Sequence, residues 1–214
     1  MNVDIRRARA DDLGFVVWVM ITAAQSHLDR CVYEILFDLD AAELSDLYGR
    51  VACSESLHWC HLSKFWIAEV DGDPAGAMCG YDPLTEGNDA LAAAIVPLLG
   101  EWGKSEEDLQ EILRKNEIME SCLPKPFPHA WGVENVAVKP HFRGRGITDR
   151  LFEQVLAEGR DKGYECAQIM CLNGNRPAEA AWRRAGFELK ADYHSREFER
   201  TFGCRGLKLL VQNL

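Results

Sequence analysis

Segments in which apolar and polar residues alternate, or in which apolar residues run continuously, predict the strands of this chain. We expect strands at 3–8, 65–70, 75–81, 129–138, 166–172, 187–193 and 207–211. The segment 166–172 is apolar almost throughout, so it should be covered on both faces. Residues 71–74, Asp-Gly-Asp-Pro, are typical of a hairpin turn and should pair the second strand with the third.

Apolar residues spaced three and four apart predict helices in much of the remaining chain. We expect a helix after residue 12, two or three short helices within 27–62, and others at 90–99, 106–119, 146–163 and 177–184. Asp11 or Asp12 can cap the first of them. The helices between the third and fourth strands form a predicted helical insertion at about 83–128.

Strands and helices alternate through the second half of the chain, which favours an α/β sandwich built on a mixed sheet. The 214 residues are enough to bury a substantial core, and we treat 1–214 as one domain. No apolar run reaches the roughly eighteen residues of a membrane span. The N-terminus lacks the residue order of a signal peptide, so we expect a cytoplasmic protein.

Charge and cysteine content narrow the function classes. The chain has 24 Lys and Arg against 34 Asp and Glu, a net charge of −10, which disfavours non-specific nucleic-acid binding. The eight cysteines include no Cys-x-x-Cys pair, and the crowded donors of segment 53–61 lack a second pair at zinc-finger distance. We therefore expect reduced, mostly buried thiols and no metal site.

Candidate chemistry is concentrated in residues 136–148, where a strand end, a glycine-rich basic loop and a helix start follow one another. The first N–H groups of a helix have no partner within it, so they bind an anion placed over the helix start. Gly144 and Gly146 allow close approach and positive φ, and Arg143 and Arg145 add positive charge. The spacing matches neither a Walker loop nor the dinucleotide-binding pattern. The segment predicts a pyrophosphate site.

Two motifs, at Arg143–Thr148 and Asn175–Phe187, resemble those of the GNAT superfamily of acyl-CoA-dependent N-acyltransferases. Residues 143–148, Arg-Gly-Arg-Gly-Ile-Thr, are similar to the family's pyrophosphate motif, Arg/Gln-x-x-Gly-x-Gly/Ala. Residues 175–187, Asn-Arg-Pro-Ala-Glu-Ala-Ala-Trp-Arg-Arg-Ala-Gly-Phe, are similar to its second motif, Asn-x-x-Ala-x-x-Leu-Tyr-x-x-x-Gly-Phe. The close resemblance covers about residues 131–190, and residues 5–12 resemble the family's first strand and helix start more weakly.

The resemblance implies a mixed, mostly antiparallel sheet of about seven strands flanked by helices. It also implies that acetyl-CoA or a related acyl-CoA binds as co-substrate. The implied coenzyme-binding residues are Val136, Ala137, Val138, Arg143, Gly144, Arg145, Gly146, Ile147, Thr148, Asn175, Ala178 and Trp182. Of these, Val136–Val138 would align the pantetheine arm, and a backbone N–H there would polarise the thioester carbonyl.

Acyl transfer to an amine also requires the removal of one proton. Glu134, four residues before Val138 on the same predicted strand, is our candidate for the general base, directly or through a water. His129 at the start of that strand is the second candidate. Tyr193 and Cys171 are candidates for donating a proton to the departing thiolate.

Three departures from the family pattern bear on these expectations. Thr148 replaces the last small residue of the first motif, which tightens the approach to the phosphates. Trp182 stands where the family often has a tyrosine that protonates the thiolate, so the general acid is unassigned. The insertion at 83–128 replaces a plain hairpin and hides the acceptor pocket.

The expected function is transfer of an acetyl or similar acyl group from acyl-CoA directly to a primary amine of a small molecule or protein. The alternative is an acyl-CoA-binding sensor or regulatory module that has lost catalysis. The expected partners are the coenzyme and the amine, without nucleic acid or membrane, and homodimer formation stays open.

Overall fold

The computed structural model describes residues 3–214, and its centre is one seven-stranded sheet. The strands are β1 (Val3–Arg7), β2 (Phe65–Val70), β3 (Asp73–Tyr81), β4 (Ala130–Val138), β5 (Cys166–Leu172), β6 (Glu188–Asp192) and β7 (Leu207–Asn213). Their order across the sheet is β1-β2-β3-β4-β5-β7-β6. Only β4 and β5 run parallel, so the expected mixed, mostly antiparallel sheet is confirmed.

In the described residues, eight α-helices connect these strands. They are α1 (Leu13–Gln25), α2 (Val32–Phe37), α3 (Ala41–Ala52), α4 (Asn88–Glu101), α5 (Glu106–Cys122), α6 (Ile147–Asp161), α7 (Arg176–Arg184) and α8 (Arg196–Phe202). The helices α4 and α5 form the expected insertion between β3 and β4. The short helix α8 was not predicted, although its sequence carries two signals: Ser195 caps it, and Phe198 and Phe202 bury one face.

Asp12 occupies the N-cap position of α1, but its side chain makes no cap hydrogen bond to the helix, so the predicted side-chain cap was wrong. The Asp12 carboxylate accepts hydrogen bonds from the Arg6 guanidinium at 2.6 Å and from the Arg9 backbone N–H at 2.7 Å. The carboxylate therefore closes a short 3-10 turn before the helix instead of accepting a hydrogen bond from the first turn of α1. The hydrogen bond from Arg6 is the main reason that the pKa of Asp12 is lowered.

The sheet has a separate apolar core on each face. Helices α1 to α5 and α8 contribute to one core, which includes Tyr48, Phe65 and Phe198. Helices α6 and α7 contribute to the other, which includes Trp131 and Phe152. We refer to these as the α1 face and the α6 face. Because both are covered, β5 is buried along nearly its whole length, as expected.

The parallel strands β4 and β5 pair only along their first halves. Their register runs from Ala130 opposite Cys166 to Val133 opposite Ile169 and goes no further. Beyond that point β5 pairs only with β7, through Leu172. The strands thus leave a gap between residues 134–138 and 170–172, which we call the β4–β5 cleft.

Helix α1 crosses this cleft on its own face of the sheet. Near its start, the Phe15 ring lies 5.0 Å from the ammonium of Lys139, just beyond the end of β4. After its end, the Ser26 hydroxyl accepts a hydrogen bond at 2.5 Å from the amide of Asn175, beyond the end of β5. One helix therefore joins the two strand ends that the cleft separates.

Within residues 3–214, no helix is both long and apolar enough to cross a membrane. Seven of the eight cysteine thiols are buried, as expected, and Cys53 is exposed.

Candidate functional site

The loop at 143–148 forms a concave surface at the start of α6. Gly144 and Gly146 both have φ of +73°, a conformation that L side chains rarely adopt, and Gly146 is the residue from which the helix begins. The Arg143 Nε donates to the Val138 carbonyl at 3.0 Å, which ties the loop to the end of β4. The backbone N–H groups of the first turn are thus available to an anion.

A cavity of about 110 Å³ lies over this helix start. It is lined by Val138, Phe142, Arg143, Gly144, Gly146, Ile147, Thr148, Asp149 and Arg184. We call it the phosphate cradle. Six of the predicted coenzyme residues line it, while Ala137 and Val136 lie one and two residues deeper along β4 than Val138.

Arg184 is a cradle residue that sequence reasoning missed. It lies on α7, in the second motif, and meets the loop of the first motif across the cavity. The signal was available: both motifs were expected to bind the same coenzyme, and a basic residue within the second one is suited to a phosphate.

A bulge in β4 shapes the cleft next to the cradle. The register between β3 and β4 shifts between Ala77 and Cys79, which lie opposite Ala137 and Glu134. At the bulge Asn135 has φ of +53°, a value that asparagine tolerates better than most residues. The bulge ends regular pairing where Glu134 and Val136 border the cleft.

Glu134 lies in the cleft on the α1 face. Its carboxylate accepts a hydrogen bond from the backbone N–H of Met170 on β5, at the point where the two strands have parted. The side chain keeps some exposed surface but is enclosed by protein, and this burial raises its pKa to about 8 despite that hydrogen bond. A carboxyl group with such a pKa can take up a proton near neutral pH.

Aromatic rings and thiols surround this carboxylate. Tyr33 of α2, Tyr81 of β3 and the thiols of Cys60 and Cys79 lie close enough for the charge of Glu134 to add to the upward shift of their own pKa values, which burial mainly causes. The Trp59 ring lies 6.3 Å from that of Tyr81. The carboxylate is thus the only one of these groups suited to accept a proton at neutral pH.

The second motif places its residues beside the cleft. Asn175 caps α7 by accepting a hydrogen bond from the Ala178 backbone N–H at 3.2 Å, and Pro177 occupies the first turn as predicted. Trp182 packs edge-on against Phe152 at 5.5 Å and is 7% exposed, so its ring belongs mostly to the α6-face core. Its buried indole N–H has no partner in the described residues.

The remaining candidates lie apart from Glu134 or are poorly suited to donate. His129 is exposed at the opposite end of β4 from the cradle. Tyr193 follows β6 with its side chain exposed. Cys171 borders the cleft, but burial raises its pKa to about 12. The structure thus places Glu134, Cys171 and the two motifs around the cleft and His129 at the other end of β4, while Tyr193 lies beyond the end of β5, where its carbonyl accepts a hydrogen bond from the Asn173 amide at 3.0 Å.

The donor set suits an acyl-CoA co-substrate, since the cradle offers backbone donors and arginines and the cleft leads from it to Glu134. In residues 3–214 no three His, Cys, Asp or Glu side chains are grouped to hold a metal ion.

Comparison with known proteins agrees with this geometry. The model of the acetyltransferase (GNAT) family matches residues 32–187. No curated protein sequence gives a significant match.

Solved structures share the fold at low sequence identity. An N-acetyltransferase from Staphylococcus aureus Mu50 is 15% identical with a TM-score of 0.67, covering 98% of this chain and 100% of the other. A GCN5-related N-acetyltransferase from Kribbella flavida is 15% identical with a TM-score of 0.56, covering 99% and 98%. The putative acetyltransferase yncA from Salmonella typhimurium, solved with acetyl-CoA, is 15% identical with a TM-score of 0.54, covering 99% and 94%.

The match of the family model spans well over half of the chain, including both motifs, the cradle and Glu134. The chain belongs to the GNAT acetyltransferase family and is a transferase enzyme.

Proposed function

We propose that this enzyme transfers an acetyl or similar acyl group from acyl-CoA to a primary amine of a small molecule or protein, by direct attack. The observation that carries the proposal is the β4–β5 cleft, which has the phosphate cradle on the α6 face and the Glu134 carboxylate on the α1 face. A coenzyme thioester bound in the cleft would have its pantetheine arm on the side of the cradle. Its carbonyl carbon would be open to attack from the α1 face.

The coenzyme side supplies binding. The backbone N–H groups after Gly146, together with Arg143 and Arg184, would hold the pyrophosphate by charge-assisted hydrogen bonds, each worth about 1.5–3 kcal/mol. The edge of β4 at 136–138 that faces the cleft pairs with no strand among the described residues, so its remaining backbone groups would be offered to the pantetheine amides. A backbone N–H there would polarise the thioester carbonyl.

The α1 face supplies the base. An amine arrives in water mostly as an ammonium ion, and only its neutral form has a lone pair for attack. Glu134 takes the proton, directly or through a water, because its pKa of about 8 allows it both to accept and to return a proton near neutral pH. The surrounding rings of Tyr33, Trp59 and Tyr81 would exclude bulk water and offer their faces to a cationic acceptor.

Thiol release from acetyl-CoA, measured with a panel of primary amines, tests the proposal. Amine-dependent release that saturates with both substrates supports direct N-acetyl transfer. Saturable binding of acetyl-CoA without turnover would instead support the sensor module. If the protein does not bind acetyl-CoA at all, the proposed function is wrong.

A further inference from the structure

Three side chains beyond the end of β5, those of Ser26, His27 and Asn175, form a hydrogen-bonded group. Neither sequence motif predicted a role for Ser26 or His27. The amide of Asn175 donates to the Ser26 hydroxyl at 2.5 Å, and Nδ1 of His27 lies 3.2 Å from the same hydroxyl oxygen. Ser26 and His27 directly follow α1, the helix that crosses the cleft. The group thus joins the α1 face to the first residue of the second motif.

The local backbone is built to hold this group. Ser26 has φ of 58° and ψ of −117°, a conformation rare for any residue but glycine, and its N–H donates to the Thr22 carbonyl. The His27 ring lies against Gly174, where a Cβ would be only 2.7 Å from Nε2. A side chain at 174 would therefore displace the imidazole.

The hydroxyl has one hydrogen and two lone pairs. The Asn175 amide occupies one lone pair, and Nδ1 of His27 occupies the second whenever it carries a hydrogen. The hydroxyl hydrogen is then directed away from both, toward a third group. Trp182 offers no proton to a thiolate because an indole N–H does not ionise usefully, so the leaving sulfur lacks a donor from the usual position.

We propose that Ser26 donates a hydrogen bond to the coenzyme sulfur as the thioester breaks, and that His27 and Asn175 position its hydroxyl. The inference rests on the proposed function. The amine lone pair forms the C–N bond, and the C–S electron pair leaves on sulfur. Glu134 passes the proton of the ammonium to solvent before attack and then takes the second proton from the acylated nitrogen, while the thiolate, stabilised by the Ser26 hydroxyl, takes a proton from water on release.

The two sides of the cleft then have separate tasks. Glu134 on β4 accepts the proton that the attacking amine loses, and Ser26 beyond the end of β5 stabilises the charge on the leaving group. For a thioester bound between the strands, the nucleophile would contact a residue of β4 and the leaving group a residue beyond the end of β5. This arrangement requires β4 and β5 to separate, as they do beyond Val133 and Ile169.

The test uses bound coenzyme A, whose thiolate is followed by ultraviolet absorbance as the pH is raised. We expect Ser26→Gly and Ser26→Ala to raise the pKa of the bound thiol by about one unit, since a charge-assisted hydrogen bond is lost. Ser26→Gly removes the hydroxyl and relieves the backbone strain, so misfolding does not explain its effect.

His27→Asn should keep the wild-type pKa of the bound thiol because its amide can donate to the Ser26 hydroxyl, whereas His27→Leu should raise that pKa. Ser121→Ala, in α5, is the matched control and should leave it unchanged.

Affinity for desulfo-coenzyme A separates a role toward sulfur from a structural one. We expect the affinity for desulfo-coenzyme A to be equal in the wild type and in both Ser26 variants. If the Ser26 variants lose affinity for coenzyme A and desulfo-coenzyme A alike while the thiol pKa is unchanged, Ser26 only orders the loop and the proposal is overturned. An unchanged thiol pKa with intact binding overturns it too, although the proposed function survives. Wild-type protein that binds no coenzyme A overturns both.

Discussion

The α6 face and the α1 face of the sheet differ in how their functional residues are distributed along the chain. On the α6 face, the phosphate cradle is made from one short segment within 142–149, from Arg184 of α7 and from Val138 at the end of β4. On the α1 face, the groups around Glu134 come from α2, the loop after α3, β3 and β4.

The difference follows from what we propose that each face binds. A pyrophosphate is recognised by backbone N–H groups and arginines, which a single loop and helix start can supply. An amine acceptor needs a shaped surface and a tuned carboxyl group, and both depend on packing between distant segments. The coenzyme side is therefore identified by a motif, and the acceptor side by its surroundings.

The largest expected effect falls on the cradle. Gly146→Asp places a carboxylate against the phosphates and a Cβ at positive φ, so we expect acetyl-CoA affinity to fall by about 10³-fold, the loss of two charge-assisted hydrogen bonds. Isothermal titration calorimetry measures it. Gly163→Asp, at the other end of α6 with φ of +84°, introduces the same strain and should bind normally. Equal affinity in both variants would remove the cradle from coenzyme binding.

The next effect tests the α1 face alone. Glu134→Gln should lower kcat by about 10²-fold and leave acetyl-CoA affinity intact, because only proton transfer is lost. In the wild type, kcat should rise with pH through about 8, since the carboxylate form is the active one. The variant should lose that rise, and Glu165→Gln, exposed before β5, should keep it. A variant with the wild-type pH profile would transfer the role to His129 or to water.

Stability at low pH should also depend on the α1 face. His58 is fully buried, its Nδ1 accepts from the Cys60 backbone N–H and its Nε2 lies 2.9 Å from the Ser54 hydroxyl. Burial lowers its pKa to about 4, so the unfolded state gains the proton first as pH falls from 6.5. His58 then removes up to about 3 kcal/mol from the free energy of unfolding between pH 6.5 and 4.

Urea unfolding at pH 7 and pH 5 measures how much free energy of unfolding the protein loses on acidification. The contribution of His58 is the difference between the losses of the wild type and of His58→Gln. The variant should lose less stability than the wild type on acidification. His141→Gln, beside the cradle and exposed, should behave as the wild type does. Parallel losses in His58→Gln and wild type would show that the pH dependence comes from other groups.

The smallest effect concerns Trp182, on the α6 face. Trp182→Phe keeps an aromatic ring against Phe152 and removes the unpartnered indole N–H, so folding should be retained. We expect the KM for acetyl-CoA to rise a few-fold and kcat to stay within a few-fold, as measured by steady-state kinetics. A collapse of kcat with normal coenzyme binding would give the indole a direct part in the transition state.

The sequence by itself determined the strands, the order of most helices and the family. Residues 143–148 and 175–187 are contiguous motifs, and glycines at positive φ, caps and arginines act within a few residues of one another. The helix start at Gly146 and the position of Pro177 in the first turn of α7 therefore lie where the pattern predicted. Glu134 was also a sequence candidate, but only its place on the strand was known.

Tertiary structure alone decided what surrounds these residues. The pKa of Glu134 depends on burial among segments that no local pattern links, and the bulge at Asn135 shows only against its partner strand. Asp12 pairs with Arg6 in place of capping α1 because β1 brings the guanidinium to it. Ser26 meets Asn175 across 149 positions of chain, a contact that exists only because α1 spans the cleft. Local conformational preference is encoded residue by residue, whereas burial and long-range hydrogen bonds arise only when the whole sheet is assembled.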